Sequence, residues 1–321
     1  MGKTKLFMGV LLLIGTSTAF AQKAELALAL PGEQIKQEIA ADDALANVVE
    51  SQFEVDFDQL TKTPRLSLRS SAALVVNLND NRAIYAKNTS TVLPIASITK
   101  LMTAMVVLDA GLPLEQTITV THADVDTLRN SGSRLRVGTT LSRRDMMRLA
   151  LMASENRAAA ALARTGPGGT QGFVAAMNRK AVELGMTNSR FVDATGLSVE
   201  NVSTAHDLAR MVKASERYDL IADFSTQGRH QQTFAGSKRR LGFRNTNILV
   251  NNKRWDIDLS KTGYISESGR CLVMMATIEK RPVIIVLLDS NGKFSRFGDA
   301  NRIKKWMEAT PARNERVSRL Y

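Results

Sequence analysis

Residues 95–100 read IASITK and lead into an apolar segment, residues 101–110, that ends at Gly111. A long apolar run that stops at a glycine is typical of a helix, so the pattern predicts a buried helix that begins near Ser97. Residues three apart share one helix face, which brings the hydroxyl of Ser97 close to the amine of Lys100. Because a lysine held neutral by burial or by a second cation can accept a serine proton, the spacing indicates a serine nucleophile with a lysine base.

The same Ser-x-x-Lys pattern occurs a second time, in the sequence SNGK at residues 290–293. This copy lies in a glycine-containing turn after an apolar strand, where the two side chains do not share a helix face. The pattern alone therefore leaves the catalytic hypothesis open, and the rest of the chain has to decide it.

The composition limits the class of protein. The chain has 321 residues, of which 44% are hydrophobic and 23% charged, as in ordinary globular proteins. Its net charge of +12 suits an anionic polymer or surface, but aromatic residues make up only 5% and are not interleaved with basic blocks, which argues against a nucleic-acid partner. The single cysteine, Cys271, excludes an intramolecular disulfide, and its apolar surroundings predict a buried structural thiol.

The three histidines give no sign of a metal site or a catalytic triad. His122, His206 and His230 lie far apart in the sequence and lack metal-ligand spacing. We therefore expect them to be structural or exposed. No metal or organic cofactor is expected.

The first residues resemble an export signal. Two lysines precede an apolar run at residues 6–14, and Ala19-Phe20-Ala21 forms a small-residue cleavage site. We predict a signal peptide at residues 1–21, too short in its apolar part to anchor the chain in a membrane. Residues 22–70 are interpreted as an N-terminal arm or linker of unassigned role, and residues 71–321 as one domain.

Strand and helix patterns alternate in blocks along this domain. Strands are predicted at residues 72–78, 83–87, 255–265, 271–278 and 283–288. Helices are predicted at residues 141–152, 158–163, 173–184, 204–215 and 300–309. Because strands flank the helices on both sides, the order predicts an α+β fold in which an antiparallel sheet built from both ends of the chain carries an inserted helical lobe. A cleft is expected between the sheet and the lobe.

Three short motifs stand in a fixed order. They are Ser97-x-x-Lys100, Ser154-x-Asn156 and Lys261-Thr262-Gly263. Each is weak alone, but the second falls between two predicted helices and the third in a predicted strand. With these motifs the sequence resembles the serine penicillin-binding proteins and the serine β-lactamases, which share this set. The resemblance implies their fold, a five-stranded antiparallel sheet with an inserted helical lobe.

A closer resemblance is to the low-molecular-mass D-alanyl-D-alanine peptidases, and among them to the penicillin-binding endopeptidases of the Gram-negative periplasm. It extends from about residue 70 to the C-terminus and rests also on residues 191–198, 203–209, 245–247 and 261–271. The middle residue of the Ser-Glu-Asn motif resembles the endopeptidase form, whereas Ser-Gly-Asn is common among the carboxypeptidases. Two strands and a helix fill the chain after Gly263, so we expect neither a C-terminal β domain nor a membrane anchor.

The resemblance implies a catalytic role for four residues. Ser97 would attack the carbonyl carbon of a D-alanyl amide, and Lys100 would be the base, with its pKa lowered by burial and by the charge of Lys261. Asn156 would hydrogen-bond Lys100 and the substrate amide. Ser154 would pass a proton to the departing amine.

It also implies a substrate-binding role for the strand that carries the third motif. Lys261 and Thr262 would hold the substrate carboxylate, and Gly263 would let the strand approach without a side chain. The backbone N–H groups of Ser97 and Tyr264 would form the oxyanion hole, where each donor contributes about 3 kcal/mol in comparable sites.

The resulting expectation is a periplasmic serine DD-endopeptidase that hydrolyses D-alanyl-diaminopimelate cross-links in peptidoglycan stem peptides. β-Lactam antibiotics would inhibit it covalently. A DD-carboxypeptidase that removes terminal D-alanine is the alternative within the enzyme class, and a non-catalytic peptidoglycan-binding scaffold is the alternative outside it. A β-lactamase is disfavoured because no Glu-x-x-x-Asn segment lies between Asn156 and Lys261.

Overall fold

Strands from both ends of the chain form one central sheet. The computed structural model describes residues 54–55, 66–234 and 240–309, which belong to one compact unit, Phe53–Tyr321. The strands are β1 (Glu54–Val55), β2 (Ser70–Asn77), β3 (Arg82–Lys87), β4 (Leu93–Pro94), β5 (Thr117–Thr119), β6 (Thr140–Ser142), β7 (Val202–Ser203), β8 (Arg229–Thr233), β9 (Arg240–Arg244), β10 (Asp256–Ile265), β11 (Gly269–Ile278) and β12 (Arg281–Ser290). The helices are α1 (Thr99–Asp109), α2 (Arg143–Met152), α3 (Asn156–Arg164), α4 (Gly169–Glu183), α5 (Ala205–Ser215), α6 (Asp219–Thr226) and α7 (Ser295–Ala309).

The order of strands in the central sheet is β1-β3-β2-β12-β11-β10. The last five pair antiparallel with their neighbours, which confirms the predicted five-stranded antiparallel sheet. β1 adds a sixth, two-residue strand that runs parallel to β3. It comes from the segment interpreted as an arm or linker, residues 22–70, as does Ser70, the first residue of β2. The predicted signal peptide, residues 1–21, lies outside the described residues.

Both faces of the sheet are covered, which explains why its central strands are apolar throughout. Successive residues of a strand point to opposite faces. Leu272 and Met274 of β11 join a cluster with Phe297 of α7. Val273 and Met275 point the other way, into the larger core shared with the helical lobe. The continuous apolar runs of β11 and β12 follow from this double burial.

The predicted central helix is present and buried, but it begins later than the sequence suggested. Residues 96–98 form a turn of 3-10 helix, and α1 begins only at Thr99. Ala96 has a φ of +47°, outside the right-handed helical region, so the chain enters α1 through a tight turn rather than along the helix axis. Ser97 therefore lies in this turn at the N-terminal end of α1.

Helices α2, α3 and α5 lie close to where the sequence predicts them, whereas α4 and α7 are present but begin four and five residues earlier than predicted. Ser142 caps α2 by accepting a hydrogen bond from the backbone N–H of Asp145, and Thr204 caps α5 in the same way. Helix α6 and the hairpin β8–β9 were not predicted. Their signals are weak, because α6 has only eight residues and each hairpin strand buries a single side chain.

A buried carboxylate joins the beginning of the sheet to the last helix. Asp299 of α7 is fully buried and accepts hydrogen bonds from the backbone N–H groups of Arg69 and Ser70, at 3.0 and 2.8 Å, and from the hydroxyl of Ser70 at 2.6 Å. Arg302 also donates to it. Because the two donors of Ser70 are buried and have Asp299 as their acceptor, the start of β2 depends on this one side chain.

We expect Asp299→Ala to lower the free energy of unfolding by about 3 kcal/mol, since it leaves buried donors without an acceptor. Urea denaturation followed by circular dichroism measures the change. Asp223→Ala, at an exposed position of α6, serves as the control and should shift stability by less than about 0.5 kcal/mol. Equal effects of the two substitutions would show that Asp299 does not fasten β2 to α7.

Candidate active site

The amine of Lys100 lies at the centre of the candidate site. It is fully buried, and its Nζ lies 2.8 Å from the Oγ of Ser97, 2.8 Å from the Oδ1 of Asn156 and 2.6 Å from the backbone oxygen of Thr195. The first contact joins residues one helical turn apart, as the Ser-x-x-Lys spacing predicts. The second joins the first two sequence motifs.

The chemical types of these three partners determine what the amine does when it is neutral. The amide oxygen of Asn156 and the carbonyl oxygen of Thr195 have no hydrogen to donate, so they take the two hydrogens of a neutral amine. The nitrogen lone pair then points to the remaining partner, the hydroxyl of Ser97. In this geometry the neutral amine of Lys100 can accept the proton of Ser97.

Burial lowers the pKa of Lys100 to about 7, because the charged form has no solvent around it. The carboxylates of Asp193 and Glu155 act in the opposite direction and raise this pKa. The sequence analysis also expected the charge of Lys261 to lower the pKa of Lys100. In the structure the repulsion between the two amines lowers the pKa of Lys261 instead. The pKa of Lys261 lies well below its ordinary value, because of burial first and then because of the positive charges of Lys100 and Arg296.

Ser154 and Lys261 form a second hydroxyl–amine pair on the other side of the cleft. Lys261 is only 1% exposed. Its Nζ lies 2.8 Å from the Oγ of Ser154 and 2.8 Å from the backbone oxygen of Thr262. Ser154 lies in the link between α2 and α3 with a φ of +58°, a conformation that turns its side chain towards β10. This contact joins the second motif to the third.

The edge of β10 packs directly against the turn that carries Ser97. A Cβ at Gly263 would lie 2.6 Å from the backbone oxygen of Ile95 and 3.3 Å from the backbone nitrogen of Ser97. No larger residue fits at this distance, so the strand approaches the turn only because residue 263 is glycine. The neighbouring Thr262 hydroxyl donates to the hydroxyl of Thr246 at 2.7 Å, and Tyr264 is 54% exposed.

A second glycine supports the same turn from the opposite side. Gly196 has a φ of +78°, and a Cβ there would lie 1.9 Å from the backbone oxygen of Ala96. Gly196 and the carbonyl group of Thr195 therefore contact the Ser97 turn on this side. The turn is thus confined between the 195–196 backbone and β10.

These elements enclose a cleft of about 470 Å³. It is lined by Ser97, Arg129, Ser131, Ser154, Asn156, Leu197, Thr246, Thr262, Gly263, Tyr264, Ile265, Ser266 and Arg296. Six of the eight site residues that the sequence predicts are in this lining. The other two, Lys100 and Lys261, are buried behind it and reach it through Ser97 and Ser154. The structure therefore brings all eight together.

The sequence analysis did not identify four further residues of the site. Ser131 accepts a hydrogen bond from the Nδ2 of Asn156 at 2.9 Å, and Thr195 acts through its backbone oxygen, which leaves no side-chain signature. Arg129 and Arg296 bring positive charge to the cleft. Arg296 lies in the first turn of α7, before the residues at which the sequence predicted that helix to begin.

Other candidates take no part in the cleft. In the second Ser-x-x-Lys pattern, Ser290 ends β12 and Lys293 is exposed. Cys271 is buried in β11, as predicted, and burial raises the pKa of its thiol to about 11. Within the residues that the structure describes, no group of three or more His, Cys, Asp or Glu side chains is placed to hold a metal ion.

Comparison with known proteins agrees with this geometry. A family model described as D-alanyl-D-alanine carboxypeptidase, Peptidase S11, matches residues 58–292. The chain belongs to the S11 peptidase family. This S11 peptidase is 52% identical over 241 residues to a protein from Pseudomonas aeruginosa named D-alanyl-D-alanine endopeptidase. The alignment covers 75% of this chain and 78% of the relative. It is 48% identical over 248 residues, 77% of this chain and 80% of the relative, to a protein of the same name from Escherichia coli K12.

Solved structures show the same fold. The crystal structure of the Streptomyces K15 DD-transpeptidase matches this S11 peptidase with a TM-score of 0.70 at 28% identity, over 77% of this chain and 99% of that one. A penicillin-binding protein homologue from Mycobacterium tuberculosis matches with a TM-score of 0.70 at 23% identity, over 79% of this chain and 97% of that one. The α+β fold predicted from the sequence is therefore confirmed.

The pKa of Lys100 predicts how reaction at Ser97 depends on pH. Because only the neutral amine of Lys100 can accept a proton from Ser97, we expect the rate to rise as pH increases through about 7 and to fall as Lys100 becomes protonated below it. The second-order rate constant for acylation by a fluorescent penicillin, measured across this range, tests the prediction. A rate that stays constant through pH 7 would contradict the assignment of Lys100 as the base.

We expect Gly196→Ala to displace the Ser97 turn, because the added methyl group overlaps the backbone oxygen of Ala96. A displacement of about 1 Å at a nucleophile lowers its rate about 100-fold, so penicillin acylation should fall by that order. Gly138→Ala is the matched control, since Gly138 also has a positive φ, +87°, but a Cβ there meets no atom within 4 Å. Acylation of Gly196→Ala at the wild-type rate would show that the turn does not need this close contact.

Proposed function

We propose that this S11 peptidase is a serine DD-endopeptidase that hydrolyses D-alanyl-diaminopimelate cross-links of peptidoglycan through an acyl-enzyme on Ser97. The observation that carries the proposal is the buried amine of Lys100, whose two hydrogens are taken by fixed acceptors and whose third partner is the Ser97 hydroxyl. The relatives that are 52% and 48% identical and named D-alanyl-D-alanine endopeptidase support the choice of bond.

In the acylation step, the Oγ of Ser97 attacks the carbonyl carbon of the D-alanine residue while its proton passes to the Nζ of Lys100. The negative charge that develops on the carbonyl oxygen faces the backbone N–H groups of Ser97 and Tyr264. Their closeness is supported by the packing of Gly263 against the Ser97 turn. Each such donor contributes about 3 kcal/mol to the stability of the transition state.

Collapse of the tetrahedral intermediate breaks the C–N bond, and the departing amine needs a proton. The hydroxyl of Ser154 is suited to deliver it, because Ser154 lines the cleft and the Lys261 amine lies 2.8 Å behind it to replace the proton. Acylation thus leaves one extra proton on Lys100 and one missing from Lys261, and exchange with solvent in the open cleft restores both amines. Water then attacks the ester, the neutral Lys100 takes a proton from this water, and Lys100 passes it to the Oγ of Ser97 as the ester C–O bond breaks. Asn156 holds Lys100 in place during both steps.

The carboxylate at the D-centre of the leaving residue would bind beside Thr262. Thr262 and Arg296 both line the cleft, and the neighbouring Lys261 is buried. A planar guanidinium suits a carboxylate, since it offers two parallel N–H donors. Terminal D-alanine carries a similar carboxylate, so the same subsite serves a DD-carboxypeptidase, the activity that the family description names. We take this activity as the second candidate.

β-Lactams would acylate Ser97 and stay attached. A class A serine β-lactamase uses a glutamate carboxylate to activate the deacylating water. Among the described residues that line the cleft, none is an aspartate or a glutamate. We therefore propose that penicillins trap the enzyme rather than being destroyed by it.

We further propose that the protein acts in the periplasm after removal of residues 1–21. The lysines, apolar run and Ala-x-Ala site of this segment support export. None of the helices in the described part of the chain is both long and apolar enough to cross a bilayer.

The proposed function is tested with purified cross-linked muropeptide dimer and, separately, monomeric pentapeptide, with products identified by mass. We expect the wild-type protein to convert dimer to monomers, and Ser97→Ala to leave the dimer intact because the nucleophile is gone. Release of D-alanine from pentapeptide alone would make the enzyme a carboxypeptidase.

The scaffold alternative is tested in cells. If Ser97→Ala supports the same cell-wall phenotype as the wild-type gene, the protein acts without catalysis and the endopeptidase proposal is wrong. If the phenotype is that of a deletion while the variant protein accumulates normally, catalysis is what the cell requires.

A further inference from the structure

Glu155, the middle residue of the Ser-x-Asn motif, makes contacts that the catalytic steps above do not use. Its side chain is only 7% exposed. One carboxylate oxygen accepts a hydrogen bond from the hydroxyl of Ser133 at 2.6 Å, and the other lies 3.4 Å from the Nε of Arg134. Both partners belong to the loop that precedes β6. A nearly buried carboxylate needs such partners, so these contacts fix the loop firmly to the motif.

The loop in question, residues 126–135, is held at its other end as well. The carboxylate of Asp126 accepts hydrogen bonds from the backbone N–H groups of Leu128, Arg129 and Ser131, at 2.9, 3.0 and 2.8 Å. Glu155 fixes the second end through Ser133. Ser131 lies between the two attachments, so its position depends on both.

Ser131 in turn determines which way the amide of Asn156 faces. The Nδ2 of Asn156 donates to the Oγ of Ser131 at 2.9 Å, and the Oδ1 accepts from Lys100 at 2.8 Å. A rotation of the amide by half a turn would place its NH₂ group against the amine of Lys100, where two donors would face each other. The Ser131 acceptor favours the orientation in which Asn156 takes a hydrogen from Lys100.

Arg134 extends the same network to the β8–β9 hairpin. Its Nη1 donates to the backbone oxygen of Gly242 at 2.7 Å, and its guanidinium lies 4.0 Å from the centre of the Phe243 ring. Glu155 therefore connects the loop and β9 to one point between α2 and α3.

We propose that Glu155 is a positioning residue of the catalytic site: by binding Ser133 and Arg134 it holds the 126–135 loop so that Ser131 fixes the amide of Asn156 against Lys100. This inference rests on the proposed reaction of Ser97 with Lys100 as its base. It assigns to Glu155 a role exerted through Ser131 and Asn156, without contact to the substrate.

The charge of Glu155 has a second, separable effect. Together with Asp193 it raises the pKa of Lys100, so its removal lowers that pKa and keeps the amine neutral at lower pH. The other charged groups that face this network are Arg134 on the loop, Arg157 on α3, Asp193 before the Thr195 carbonyl, and Lys261 on β10. Substitution of Ser133 leaves all these charges unchanged.

The test measures the second-order rate of acylation of the full chain by a fluorescent penicillin as a function of pH. For Ser133→Ala we expect a rate at high pH about tenfold below wild type, with the midpoint of the acid limb unchanged, because geometry is lost and charge is kept. For Glu155→Gln we expect the midpoint to move to lower pH. Glu216→Gln, at an exposed position after α5, is the matched control and should leave both quantities unchanged.

A double-mutant cycle tests the route through Ser131. Ser131→Ala should also lower the rate about tenfold, and the double variant Ser131→Ala/Ser133→Ala should lose no more than either single one, because both act on the same amide. Independent losses that multiply to about 100-fold would overturn the proposal. So would a wild-type rate for Ser133→Ala. Circular dichroism and thermal unfolding of each variant show whether a loss reflects misfolding.

The penicillin assay keeps this proposal distinct from the choice of peptide bond. Wild-type protein that is acylated by penicillin but cleaves neither peptide would contradict the endopeptidase function, and the cycle would still decide the role of Glu155. Wild-type protein that forms no adduct would overturn the Ser97–Lys100 pair and the positioning role with it.

Discussion

The site depends on keeping one amine out of water. Lys100 is surrounded by protein, and this burial, rather than repulsion by a second cation, makes its neutral form accessible near pH 7. A neutral amine needs two acceptors and one donor hydroxyl around it, and three segments far apart in the chain supply them. Much of the architecture can be understood as the means of bringing these segments to one buried point.

The sheet and the helical lobe contribute differently to that point. The sheet supplies a straight edge, β10, that lies against the Ser97 turn because residue 263 has no side chain. The lobe supplies the link between α2 and α3, where Ser154 adopts a positive φ and Asn156 begins the next helix. Two glycines, on opposite sides, leave room for a turn that larger residues would displace. The precision of the site thus comes from backbone contacts as much as from side chains.

The sequence allowed much of this to be predicted, for identifiable reasons. Strong apolar periodicity located the five long strands of the sheet and six of the seven α-helices in the described residues, and the three motifs, with Tyr264 beside the third, named eight residues that the structure brings together. What it did not reveal was carried by weaker signals. The Thr195 carbonyl belongs to the backbone, Ser131 lies in an irregular loop, and β8 and β9 each bury a single side chain, so no pattern marks them. Arg296 was missed because α7 begins earlier than its apolar spacing suggested.

The order of strands also governs when Ser97 and the neutral amine of Lys100 are brought together. β12 lies between β2, from the beginning of the described domain, and β11, so the early hairpin β2–β3 has no sheet to join until almost the whole chain has been made. Pairings between residues so distant in sequence form late in folding. Until then Lys100 is hydrated and charged, and Ser97 is an ordinary hydroxyl. A growing or partly unfolded chain therefore has no neutral amine beside Ser97. The reactive pair forms only when the fold is complete.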